Sequence, residues 1–360
     1  MVDGYDTYLR QAVGFTRDGR FLVTYWGQDR VRLWPLPGGD DADVVDLMLP
    51  RQGRMDFAID PTGRHILGLG FSGVFLLSLA GGDPVRLSGF PNGDYAATGA
   101  FSPSGRLVAA ATEFSEDQPT LRVWDLVSGE VRVFDVPRRT KTSDVESRVK
   151  GFLVSYLAFA DENTLYTSGG NGLLRWNLDT GGYDQLLEAE PGNLLFMSAS
   201  LDRRMILTYQ TTDYSTRGQV YLHDLDTGHV RRVEIPGNST RLSLGPEGKT
   251  WVAGEEDGLI WVGRIDEGDA QVLVGHEGPI TSVAISPDRK WIASSGEDRT
   301  LRLWPMPDLD TPPLHTLPHD ELIAKLKSLT NIRVVRDPDS AEGWKVTLDP
   351  FPGWKEVPEW

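Results

Sequence analysis

Seven times along this 360-residue chain a short apolar run returns at nearly the same spacing, and four of the seven runs end in tryptophan. The runs are Val31 to Trp34, Val74 to Leu77, Leu121 to Trp124, Leu173 to Trp176, Val220 to His223, Leu259 to Val262 and Leu301 to Trp304, and their last residues recur every 39 to 52 positions. A repeat of that length is one small unit that buries its apolar faces only against its neighbours, so a period in the forties predicts stacked four-stranded units.

Each unit repeats the same internal order. An alternating apolar stretch comes first: Val13 and Phe15, Phe57 and Ile59, Gly99 and Phe101, Leu157 and Phe159, Met197 and Ala199, Leu242 and Leu244, Val283 and Ile285. A tight-turn signal follows, such as Asp60-Pro61-Thr62-Gly63, Ser102-Pro103-Ser104-Gly105 or Ser286-Pro287-Asp288-Arg289. Proline presets the first corner and glycine tolerates the left-handed second one, so these predict hairpins. A second strand rich in small and β-branched residues comes next, for example Leu107 to Ala111 or Trp291 to Ser295. The recurring run is the third strand, and a further glycine-bearing turn leads to a fourth.

These residues resemble the WD40 repeat family. The seventh unit carries the fullest match, with Gly275-His276, Ile280 to Asp288, Ser294, Asp298 and Trp304, and Trp124-Asp125 in the third unit matches the family's signature dipeptide. The resemblance implies an all-β fold, a seven-bladed WD40 β-propeller over residues 8–305. It also implies that His276, Ser294, Asp298 and Trp304 form a hydrogen-bonded tetrad running from the blade's mouth to its interior. Buried polar groups must be partnered, and a satisfied chain of them fixes one geometry. The other units depart from the pattern: Gly228-His229 lies in the turn after a third strand, and units two, five and six lack the tryptophan.

Lysine and arginine total 36 against 52 aspartates and glutamates, a net charge of −16. Binding to nucleic acid or to an anionic membrane is driven by a positive field, so neither is an expected partner. Cysteine is absent, which removes disulfides and thiolate metal sites. No signal peptide and no apolar run of about 20 residues is present, and the expected location is cytoplasmic. The 11 tryptophans and 13 phenylalanines are expected mainly to fill the spaces between blades.

Past Trp304 the repeat stops. Residues 306–360 are expected to form a small α+β C-terminal extension packed on the propeller: a strand at Leu314 to Leu317, a helix from Asp320 to Leu329 with Leu322, Ile323, Leu326 and Leu329 at helical spacing, and short strands at Ile332 to Val335 and Trp344 to Leu348. The segment is similar to tails of bacterial WD40 proteins, some of them fused to serine/threonine kinases. Two readings compete, a lid over exposed apolar edge and a docking element for another protein. Only Met1 to Tyr8 precede the first inner strand, so Leu314 to Leu317 is the expected outer strand of the last blade.

No catalytic constellation stands out. None of the six histidines, His65, His223, His229, His276, His315 and His319, sits in a metal-ligand spacing, and no phosphate-cradling glycine loop or nucleophile elbow is found. The glycines at 169, 170 and 172 lie between two strands, where a hairpin explains them. Adjacent carboxylates such as Glu116-Asp117, Glu255-Glu256-Asp257 and Glu297-Asp298 fall in connecting loops. The expectation is a non-enzymatic protein without cofactor or metal; the alternative is a propeller enzyme or small-molecule sensor using the central channel.

Propeller geometry sorts the connections onto two faces. Links from strand two to three, and from one blade to the next, share the face carrying the tetrad's outer end. The lengthened links all fall there: Glu113 to Pro119, Pro137 to Gly151 with Arg138, Arg139, Lys141, Arg148 and Lys150, and Thr211 to Gly218. Loops on a rigid scaffold are where recognition residues gather, although length also accumulates there at little entropic cost. A protein or peptide partner is expected over blades three to five, with the basic loop as its electrostatic handle. The family's recurrent contact sites carry over to Pro279, Thr281 and Glu297 in blade seven. Elsewhere they fall on Gln11, Gln28, Met55, Tyr95, Ala97, Leu153, Ser155, Leu195 and Thr240, with Asn238 beside the last. The functional expectation is a scaffold or regulatory subunit in a bacterial signalling or defence assembly.

Overall fold

A computed structural model of the chain describes residues 13–26, 30–36, 44–48, 56–70, 73–90, 96–112, 120–137, 154, 156–169, 171–188, 194–200, 202, 204–211, 218–237, 239, 241–266, 269–310, 316–322, 333–336 and 344–347. It divides into two compact units, Met1–Leu309 and Asp310–Trp360.

Seven antiparallel sheets make up the first unit. Blade one holds β1 (Val13–Phe15), β2 (Phe21–Trp26), β3 (Arg30–Pro35) and β4 (Val45–Met48). Blade two holds β5 (Asp56–Ile59), β6 (His65–Gly70), β7 (Gly73–Ser78) and β8 (Val85–Arg86). Blade three follows with β9 (Ala96–Phe101), β10 (Leu107–Thr112), β11 (Thr120–Asp125) and β12 (Val131–Asp135). Blade four has β13 (Tyr156–Phe159), β14 (Thr164–Gly169), β15 (Gly172–Asn177) and β16 (Tyr183–Leu187). Blade five has β17 (Leu194–Ala199), β18 (Met205–Thr211), β19 (Gln219–Asp224) and β20 (Val230–Val233). Blade six has β21 (Arg241–Leu244), β22 (Thr250–Gly254), β23 (Ile260–Arg264) and β24 (Ala270–Leu273). In blade seven the described strands are β25 (Ile280–Ile285), β26 (Trp291–Gly296) and β27 (Leu301–Pro305). The fold is the expected seven-bladed all-β propeller.

The hairpin joining the first two strands of a blade is clasped by a recurring side-chain pattern. In blade seven Ser286 Oγ donates to Asp288 Oδ1 at 2.6 Å and accepts the Trp291 N–H at 2.9 Å, while the Lys290 N–H reaches Asp288 at 3.1 Å. Thr16 with Asp18 in blade one and Ser200 with Asp202 in blade five repeat it, each short donor to the aspartate at 2.6 Å. Hydroxyl and carboxylate thus satisfy backbone groups that the turn leaves unpaired.

Seven apolar clusters hold the described part of the ring, and each straddles two consecutive blades. Val23, Val31 and Leu33 meet Ile66, Phe75 and Leu77 between blades one and two. Leu121 and Val123 meet Leu165, Leu174 and Trp176 between blades three and four. Closure is made by Leu22 and Leu36 of blade one against Ala293 of blade seven, with Val13, Phe15, Trp34, Trp291, Leu301 and Leu303 around them. The Val13 N–H also donates to Ser282 Oγ at 3.2 Å, across 269 residues of chain. Successive strand residues point to opposite faces, so within most blades the tryptophan position looks back to the previous blade and the residue before it looks forward to the next.

Blade six corrects the sequence register by one residue. Gly263, not Val262, occupies the tryptophan position, and it lies opposite Trp251 on β22. A Cβ at Gly263 would stand 2.5 Å from the Trp251 ring, so the indole has moved to the neighbouring strand and fills the same space. Its Nε1–H finds the Arg264 carbonyl at 3.2 Å.

Met306 and Leu309 pack against the cluster between blades six and seven, so the first unit runs beyond the last repeat. In the second unit residues 319–322 form a helical turn, and β28 (Arg333–Arg336) pairs antiparallel with β29 (Trp344–Thr347), Val334 opposite Val346. The remainder of the expected helix, and Leu314 with His315 of the expected closing strand, lie outside the described residues.

Candidate functional site

The four tetrad residues of blade seven come together. The Trp304 Nε1–H donates to Ser294 Oγ at 2.8 Å, and Ser294 Oγ lies 2.7 Å from His276 Nε2. His276 Nδ1 lies 2.9 Å from Asp298 Oδ2, which also accepts the Glu277 N–H at 3.1 Å. Burial lowers the His276 pKa, and the hydrogen bond to Asp298 only partly opposes it, so the ring is neutral. Burial would raise the Asp298 carboxyl, but the N–H groups of Thr300 and Glu277, with His276, hold it at about 2. Proton placement then follows by assignment: Nδ1–H donates to the carboxylate and Nε2 accepts from Ser294. The chain of bonds runs one way from the indole to the rim.

Partial versions recur in the other blades. The position of Ser294 is held by Thr24 in blade one, Thr167 in blade four and Thr208 in blade five. Trp34 and Trp176 donate to Thr24 and Thr167 at 2.9 Å each, and His223 Nε2 lies 2.9 Å from Thr208 Oγ1. His223, which stands where other blades have tryptophan, is 6% exposed, and burial lowers its pKa to about 4. Where the tryptophan position carries no ring nitrogen the hydroxyl is missing too: Gly68 accompanies Leu77 and Ala253 accompanies Gly263. In blade three Ala110 stands there, and the Trp124 Nε1–H turns instead to the Ser88 carbonyl at 2.6 Å. Sequence reading missed these pairs because threonine in a strand reads as a strand former.

Of the expected contact residues, those of blade seven are described. The Glu297 N–H bonds the Pro279 carbonyl at 2.8 Å and leaves the Glu297 side chain exposed. Thr281 Oγ1 lies 2.9 Å from Ser295 Oγ. Thr281 is the extra residue of a β-bulge, since Ile280 pairs with Gly296 and Ser282 with Ser295. Ala97 is the extra residue of the matching bulge in blade three, between Ala96 and Thr98. A bulge locally bends the strand and re-aims a side chain. Leu195, by contrast, lies in unbroken register opposite Gln210. Gln11, Gln28, Met55, Tyr95, Arg138, Arg139, Lys141, Leu153, Ser155, Asn238 and Thr240 lie outside the described residues.

The roots of the three long links are tied by side chains. Thr112 Oγ1 accepts the Thr120 N–H at 3.0 Å across the 113–119 link. Tyr209 Oη accepts the Gly218 N–H at 3.1 Å across the 212–217 link. The Asn171 carboxamide donates to the Pro137 carbonyl at 2.5 Å, at the start of the basic link. At the turn-side end of the ring a cavity of about 210 Å3 is walled by Phe15, Ile59, Leu244, Ile285 and the prolines 61, 246 and 287, with Asp60 and Arg17 at its edge. Among the described residues no three His, Asp or Glu side chains gather as metal ligands. No helix among them is long and apolar enough to cross a membrane.

Comparison with known proteins agrees with this geometry. Residues 269–305 match the WD40 family, described as WD domain, G-beta repeat. The serine-threonine kinase receptor-associated protein of Gallus gallus is 25% identical over 207 residues, covering 55% of each chain. WD repeat-containing protein SL1-17 of Schistosoma mansoni is 26% identical over 138 residues, 38% of this chain and 44% of that protein. The serine-threonine kinase receptor-associated protein of Homo sapiens is 40% identical over 76 residues, 21% of this chain and 22% of that one. The match spans about half, or less, of the length of these relatives.

Proposed function

We propose that the chain is a non-enzymatic scaffold that holds a protein or peptide on the face bearing the outer end of the tetrad. The observation that carries this reading is the joint placement of one complete polar network and three side-chain-tied loop roots on that face. Rigid strands and tied loop roots fix where the loops start and end before a partner arrives, which reduces the entropic cost of association. The rim over blades three to five is the proposed contact surface, with Arg138, Arg139 and Lys141 steering an acidic partner, and Pro279, Thr281 and Glu297 edging the channel mouth. A partner with kinase-linked signalling duties is in keeping with the name of the receptor-associated relatives. The bacterial signalling or defence setting rests on the resemblance of the tail alone, since the relatives named above come from animals. A cytoplasmic location belongs to the same proposal.

The test is crosslinking of the full chain in its host, identification of the crosslinked species by mass spectrometry, and repetition with Arg138, Arg139 and Lys141 changed to serine. Recovery of the rim-linked partner should fall about tenfold at physiological salt. Equal recovery from the triple variant refutes the basic handle.

A further inference from the structure

Six blades present an aliphatic pair to the next blade, at the residue before the tryptophan position and its second-strand partner. The pairs are Leu33 with Val23, Leu76 with Leu67, Val123 with Ala109, Leu222 with Leu207, Val262 with Val252 and Leu303 with Ala293. Blade four breaks the rule. Arg175 stands there opposite Tyr166, and Asp184 on the outer strand lies opposite Arg175 in turn. Among the described residues the cluster joining blades four and five buries Ala158, Tyr166, Leu173 and Ile206, with Tyr156, Ala160, Leu187, Ala199 and Leu225 partly buried around them.

A groove of about 590 Å3, with Arg175 on its wall, lies between the two blades on the face opposite the tetrad's outer end. That volume lies within the range of about 300–1,000 Å3 typical of ligand sites. Its walls carry two guanidiniums and four carboxylates. Arg175 is held by Asp184 at 2.6 Å and Arg204 by Asp226 at 2.5 Å. Asp161 and Asp202 are also on the wall: Asp161 accepts the Asn163 and Thr164 N–H groups, Asp202 accepts the Arg204 N–H and the Ser200 hydroxyl, and among the described residues neither forms an ion pair. Tyr183 leans on Trp176 with ring centroids 5.0 Å apart and is 45% exposed, offering an aromatic face.

An incoming anion would have to displace a carboxylate from each arginine, inside a chain whose net charge is −16. A cation meets two carboxylates that form no ion pair among the described residues, and a π face, both of which attract it. We propose that the groove between blades four and five is a second recognition site, separate from the rim, that takes the arginine or lysine side chain of a basic peptide segment.

The probe is tetra-arginine amide, titrated into the full chain and followed by tryptophan fluorescence at physiological salt, with tetraglutamate as the opposite charge. Saturable one-to-one binding of tetra-arginine is expected. Asp161→Asn with Asp202→Asn should weaken it at least tenfold, because asparagine can still accept the turn N–H groups while the charge is gone. Removing two exposed charges elsewhere, Asp83→Asn with Glu130→Gln, should change it less than twofold. The charge-neutral pair Arg175→Leu with Asp184→Val installs the residues that blade one carries at Leu33 and Val45; it should close the groove and also cost at least tenfold. If that pair fails to fold, the asparagine pair decides. Absence of saturable binding, preference for tetraglutamate, or equal weakening by the distant charge removal would overturn the assignment.

Discussion

Replacing Ser294 with alanine tests whether the polar chain of blade seven stabilises the ring or merely fits within it. Ser294 is 0% exposed and serves both neighbours, accepting from Trp304 at 2.8 Å and meeting His276 Nε2 at 2.7 Å. The variant leaves one donor and one acceptor buried and unpaired, each costing about 1–3 kcal/mol, so about 2–4 kcal/mol in total once partial relaxation is allowed. At this chain length a change of 1 kcal/mol moves the melting temperature by about 1.3 °C, giving a fall of about 3–5 °C. Thr167→Ala removes a partner only from the Trp176 indole and should cost about half as much. Urea unfolding of the two variants, with the slope checked for constancy, reads both values. A loss below about 1 kcal/mol in Ser294→Ala refutes the pairing of hydroxyl with ring nitrogen as the stabilising element.

Two further outcomes follow from buried groups and turn geometry. His223 is held near pKa 4, below its ordinary 6.5, so its contribution is present above pH 6.5 and lost as pH falls towards 4. Between pH 7 and pH 4.5 the wild type should lose about 2–2.5 kcal/mol through this group, and His223→Trp, titrated by urea midpoint at each pH, should abolish that share. Gly19→Ala and Gly105→Ala share nearly the same left-handed backbone, φ 69° and 73°, but differ in space. At Gly19 nothing lies within 4 Å of the added Cβ, whereas at Gly105 it meets the Asp60 carboxylate at 2.5 Å. The first should cost about 1 kcal/mol of conformational strain and the second distinctly more in thermal unfolding; equal losses would mean that the steric term is absent.

How much was readable in the chain depends on how each signal is encoded. The period of the tryptophan-ended runs located the third strand of every blade, because apolar alternation and turn residues both report local geometry. The four tetrad residues were legible because blade seven keeps the whole pattern. Unit six slipped because Leu259 to Val262 is apolar in either register; only the pairing of Gly263 with Trp251 shows which residue faces which neighbour. The departure at Arg175 was invisible for a related reason. A charged residue in a strand reads as solvent-facing until the register places it opposite Tyr166, at a position where the other six blades are aliphatic.

The entropic cost of closing the ring is not spread evenly over its interfaces. Most interfaces join units adjacent in sequence, whose loops of about 45 residues cost about 3.4 kcal/mol to close on the logarithmic scaling. The seam joins blade seven to blade one, and its bond from Val13 to Ser282 spans 269 residues, for which the same scaling gives about 5 kcal/mol. Packing there is supplied by Leu22, Leu36 and Ala293 with six partly buried neighbours. The complete tetrad lies in the same blade, but its Trp304 packs in the cluster shared with blade six, so it fixes the geometry of blade seven and not the seam contact itself. The interface between blades four and five, where Arg175 replaces an aliphatic residue, lies on the far side of the ring and joins consecutive units. Local closure is cheaper there, so aliphatic packing can give way to charged groups and open a groove without opening the ring.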